Sequence, residues 1–149
     1  MGHKKQNAQL TYQATRIRTA SREQLLLITY DIAIRFCLSA ESALEKGDSE
    51  EAHNNLIRAQ NAVRELMVSL NTEIGGEVTV NLMALYDFMY RSLVEANVEK
   101  SQEKVCVARS MLEELRETWT QVMETLRKEA VSESVPEIVE TGGGVSFAG

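Results

Sequence analysis

A chain of 149 residues and 16.7 kDa can bury one core of its own, and its length gives no reason to expect a second domain. Its 16 Lys and Arg against 22 Asp and Glu leave a formal net charge of −6, which argues against a general binder of nucleic-acid phosphates. Pro136 is the only proline, so nothing before it except glycine breaks a helix, and the composition predicts an all-α chain.

The charge is unevenly placed. Lys4, Lys5, Arg16, Arg18 and Arg22 precede the first acid, Glu23, whereas Glu129, Glu133, Glu137 and Glu140 follow the last base, Lys128. This reads as a basic arm over residues 1–20 and a flexible acidic tail over 131–149, flanking a helical domain over 21–130. The longest strongly apolar run, Leu25 to Ile28, is too short to enter and cross a bilayer. No apolar stretch follows the basic start, so no secretory leader is expected. Cys37 and Cys106 have apolar neighbours and read as small core residues in a reducing cytoplasm.

In chain order, the arm carries Leu10, Tyr12 and Ile17, which give it something to bury. Ser21-Arg22-Glu23-Gln24 fits a capping box and starts the first predicted helix, which Gly47 ends after Lys46. That helix is apolar on most of its circumference. Ile28 falls in its narrow polar sector, where Asp31 and Arg35 are spaced to pair. Asp48-Ser49-Glu50-Glu51 starts a second helix, whose core stripe runs Ala52, Leu56, Ala59, Val63, Leu66, Met67, Leu70 and Ile74. Ile57, Asn61, Arg64 and Val68 form a smaller mixed row on it. Gly75-Gly76 separates it from a third helix, Glu77 to about Asn97, where Asn97 suits a left-handed exit. On this helix Leu82, Leu85, Tyr86, Met89, Leu93 and Ala96 form one stripe, and Met83, Tyr90 and Val94 form a second, roughly 100° round. A fourth helix from Ser101 to about Ala130 carries a narrow seam, Val105, Ala108, Leu112, Leu115, Trp119, Val122 and Leu126, with Trp119 as a core anchor. Short connections between long helices predict an antiparallel up-down four-helix bundle.

Chemistry is sparse. A di-iron bundle needs two Glu-x-x-His motifs, and Glu50 to His53 is the one match, with only His3 besides. No phosphate-cradling glycine loop, zinc spacing or nucleophile constellation appears, so neither catalysis nor a cofactor is expected. What remains is surplus apolar surface. It points to a module that binds a partner helix, with self-association into a homodimer through the same stripes as the alternative.

At these residues the chain resembles the flagellar secretion chaperone family FliS. Gly75-Gly76-Glu77-Val78 followed by Leu85-Tyr86-Asp87-Phe88-Met89 through Glu95-Ala96-Asn97 is similar to the family's GGEI and LYDYM…EAN pattern. Tyr12-Gln13 with Thr19-Ala20-Ser21, Tyr30 to Phe36, and Leu56 to Leu70 add matches in the expected order. Arg22, Ile32 and Ser92 depart from the family's Pro, Gly and second basic residue. The resemblance implies a cytoplasmic chaperone that binds the disordered C-terminal region of flagellin, prevents premature polymerisation and delivers it to a component of the flagellar type III export gate. The contacts it suggests are Ile57, Asn61, Arg64 and Val68 with Met83, Tyr86, Tyr90, Arg91 and Val94, while Tyr12 and Ile17 of the arm cover part of the groove.

Overall fold

The computed structural model describes residues 21–73 and 75–142, and their side chains over 21–70 and 75–133. The arm with Tyr12 and Ile17 lies outside the described residues, as do residue 74 and residues 143–149. The described chain forms α1 (Arg22–Lys46), α2 (Ser49–Glu73), α3 (Glu77–Glu99) and α4 (Gln102–Gly142), with no strand among the described residues.

Local chemistry sets most of the helix ends. The Ser21 hydroxyl accepts from the Gln24 amide at 3.2 Å, and the Gln24 side chain accepts from the Ser21 amide at 3.0 Å, the reciprocal capping box. Gly47 closes α1 in the left-handed region at φ 77°, and Asp48 caps α2 through the Glu51 amide at 3.1 Å. Two ends differ from expectation. Lys100, not Asn97, takes the left-handed exit of α3 at φ 54°, and the Asn97 side chain instead bonds His53 of α2 and Lys100. The helix α4 passes Ala130 and runs to Gly142, so the segment from 131, expected as tail, begins inside it. Lys128, Glu129 and Ala130 are good helix formers and supply no stop signal there.

The chain divides into two compact units after Arg116. In the first, α1, α2, α3 and the start of α4 make the antiparallel four-helix bundle. Side-chain pairs report the antiparallel order. Asp31 early in α1 bonds Arg116 late in this part of α4, and Glu41 late in α1 bonds Arg109 nearer the start of α4. The core is layered from small residues on α1 (Ala33, Cys37, Ala40, Ala43) and larger ones on α3 (Tyr86, Met89, Leu93), with Leu56, Val63 and Leu66 of α2 and Val105 and Leu112 of α4. Small side chains let α1 and α2 approach closely across the tight Gly47-Asp48 turn. Tyr30 and Tyr86, both buried, meet hydroxyl to hydroxyl at 2.5 Å with their rings tilted by 57°.

Three further positions correct the helical-wheel reading. Ile28 is buried at 8% exposure and belongs to the core. Leu85 is exposed at 39%, because the buried stripe of α3 centres on Leu82, Met89 and Leu93 and leaves Leu85 on its flank. Asp31 pairs with Arg116, not with Arg35. The start of α4 is tied to the end of α3 by Lys104, which bonds Glu95 and Glu99 at 2.9 and 3.1 Å. In the second unit, which starts at Glu117, Trp119 is half-buried and Val122 and Leu126 are exposed, so the seam of α4 is fully buried only through Leu112.

The Glu41–Arg109 pair is the least exposed ion pair described, at 14% and 20% side-chain exposure, and Glu113 also accepts from Arg109 at 3.2 Å. Hydrogen bonding to Glu41 raises the Arg109 pKa, so the guanidinium stays charged. Both cysteines are free. Burial, with Glu41 as the next cause, pushes the Cys37 thiol from its ordinary 9.0 up to about 12. The folded chain therefore holds this proton where the unfolded chain releases it. The stability linked to Cys37 is fully present below pH 9.0 and is lost as pH rises toward 12. At neutral pH a thiol reagent is expected to modify half-buried Cys106 in the native state and Cys37 only on unfolding; mass spectrometry of timed aliquots checks this.

Candidate functional site

The face shared by α2 and α3 collects most of the residues that the sequence singles out. On α2, Ile57 at 37% and Val68 at 54% exposure lie outward with Asn61 and Arg64 between them. On α3, Met83 and Tyr90 are half-buried and Val94 is exposed at 37%. Two cross-helix contacts bring these rows side by side. Arg64 Nη2 donates to Tyr90 Oη at 2.7 Å, with the guanidinium carbon 5.4 Å from the ring centroid. Further along, the Asn97 amide meets His53 Nδ1 at 2.9 Å. The result is an apolar strip on two antiparallel helices, with an arginine held over a tyrosine near its middle.

The structure separates the two tyrosines. Tyr90 lies in this face, whereas Tyr86 is 1% exposed and turned into the core against Tyr30. Arg91 does not join the face either. It sits about 100° round α3 from Tyr90, is 74% exposed and pairs with Asp87 of its own helix at 3.0 Å. His53 and Asn97 extend the face at one end. Helical spacing could have added both, because His53 precedes Ile57 by one turn and Asn97 follows Val94 by one. Lys100 Nζ donates to Asn97 Oδ1 at 2.7 Å, which turns the Asn97 amide nitrogen toward His53.

Elsewhere, Phe88 at 51% is exposed on another side of α3, while Val98 at 79% follows Val94 by one turn at the end of the helix. Arg58 of α2 lies 5.5 Å above the ring of Phe36 on α1. Of the residues departing from the family pattern, Arg22 is exposed, Ile32 is half-buried and Ser92 is buried at 8%. Among the described residues no three His, Cys, Asp or Glu side chains gather where they could hold a metal ion. Among the same residues no helix is long and apolar enough to cross a membrane.

An exposed apolar strip beside a well-filled core is an arrangement for binding, and comparison with known proteins gives it a context. The family described as flagellar protein FliS matches residues 4–126. The flagellar secretion chaperone FliS of Bacillus subtilis is 34% identical over 83% of this chain and 92% of its own length. That of Salmonella typhimurium is 32% identical over 71% and 79%, and that of Escherichia coli 27% over 69% and 76%. A match spanning the whole bundle, together with the antiparallel four-helix fold and its unfilled outer face, leads to one conclusion: the chain belongs to the FliS family.

Proposed function

We propose that this chain is a chaperone of flagellar export that binds the disordered C-terminal region of flagellin in the cytoplasm. The segment folds into helix as its apolar side settles on the α2–α3 face. While held there it cannot join another flagellin, and the complex is then handed to a component of the flagellar export gate. The arm with Tyr12 and Ile17 competes for the same surface until the client displaces it. Membership of a chaperone family implies a non-enzymatic role.

The observation that carries this reading is the pair of outward rows, exposed Ile57, Val68 and Val94 with half-buried Met83 and Tyr90, beside a core built from other residues. Apolar area of this kind is what offsets the cost of ordering a disordered client. The test mixes the full chain with a flagellin C-terminal fragment and follows elution and far-UV dichroism. Co-elution with a gain of helix beyond the sum of the parts is expected. Separate elution with an additive spectrum contradicts the proposal, and a dimer that forms with or without flagellin favours the homodimer alternative.

A further inference from the structure

Arg64 is a cation among the apolar residues of this strip, one turn from Asn61, and its head group is positioned without being neutralised. Tyr90 uses one of its donors through the 2.7 Å bond and orients the plane by lying beneath it. No described carboxylate pairs with it. Asp87 is taken by Arg91 and Glu95 by Lys104. Arg64 is exposed, and no described carboxylate takes up the remaining donors of its fork.

A helix laid on Ile57, Val68, Met83 and Val94 would shield the exposed guanidinium from solvent. Desolvating an arginine is costly unless the incoming surface supplies acceptors, and the planar fork matches a carboxylate in two-point geometry. We infer that Arg64 sets the specificity of this face: it admits an amphipathic helix that carries an Asp or Glu within its apolar stripe and disfavours one that lacks it. The acid sits level with Arg64, and Tyr90 acts as the positioning residue that keeps the guanidinium in place. Discrimination then comes as much from the penalty on wrong helices as from the pair formed with the right one. This rests on the reading that the face receives a client helix.

Calorimetry of the full chain with a flagellin C-terminal peptide tests it, using peptides in which each Asp or Glu is changed singly to its amide. Arg64→Gln is expected to weaken the parent peptide about tenfold, the low end for a hydrogen bond to a charged group at a partly wet site. One amide peptide should lose about as much on the parent chain and lose nothing more on Arg64→Gln. Added salt should narrow the gap between the parent chain and Arg64→Gln. Tyr90→Phe should cost less than Arg64→Gln, since the ring remains. Unchanged affinity for Arg64→Gln while Ile57→Asp still prevents binding would overturn the specificity role and leave the chaperone reading intact. Losses that add fully for every amide peptide would overturn it too, as would an Arg64→Gln effect confined to self-association in light scattering. If the parent chain bound no peptide at all, the chaperone reading and this inference would fail together.

Discussion

Replacing Tyr86 by Ala is expected to destabilise the bundle by about 3–5 kcal/mol, the range for removing a buried aromatic ring from a core. The ring is 1% exposed and packs 6.4 Å, centroid to centroid, from Tyr30. Deleting it leaves a cavity beside Tyr30, and it removes the partner of the 2.5 Å hydroxyl contact. Tyr86→Phe keeps the volume and loses the hydroxyl bond to Tyr30, so its cost should be about 1 kcal/mol. Urea denaturation followed by far-UV dichroism reads both variants. The flagellin binding proposed for the α2–α3 face should stay within about twofold in Tyr86→Phe, because the hydroxyl faces Tyr30 in the core. Equal midpoints for Tyr86→Ala and the parent chain would place this ring outside the core.

Tyr90→Asp should do the reverse. The fold should survive, since Tyr90 is half-buried at the edge of the bundle, but binding of a flagellin C-terminal peptide should weaken by at least about a hundredfold. Two effects act together. The substitution removes the largest apolar surface from the middle of the strip, and it places a carboxylate within reach of Arg64. That local acid would occupy the guanidinium donors otherwise open to a client carboxylate. Titration of the peptide against a variant whose dichroism matches the parent separates lost contact from lost fold. A variant that is folded and binds normally would remove Tyr90 from the site.

These two tyrosines also mark what can be read from sequence. Helical spacing separates the stripe containing Tyr86 from the one containing Tyr90, and the structure keeps that separation. Starts of helices are equally legible, because Ser21 with Gln24 and Asp48 with Glu51 are local chemistry within one turn. Ends are less so. Lys100 adopts a left-handed conformation that favours Gly or Asn, and no neighbouring residue type announces it. Ion pairs are illegible for a related reason. Arg35 is the local candidate for Asp31, yet the partner is Arg116 on another helix, a choice made only when α1 and α4 pack.

The candidate face is legible as two separate rows. Their union depends on contacts such as Arg64 with Tyr90 and His53 with Asn97, which join residues far apart in the chain. Arg91 shows the converse. Adjacent to Tyr90 in sequence, it points elsewhere and pairs within α3. Leu85 falls on the apolar stripe of the wheel and yet stays exposed, because a stripe drawn on one helix has no knowledge of where its neighbours stand.

The most direct measurement is a methyl NMR titration of the full chain, labelled at Ile, Val and Met, with a flagellin C-terminal peptide. Ile57, Val68, Met83 and Val94 should shift together and saturably, while Val105 in the core and exposed Val107 on α4 stay near their starting positions. Shifts centred on Val107 or absent from the α2–α3 rows at saturation would contradict the proposed site.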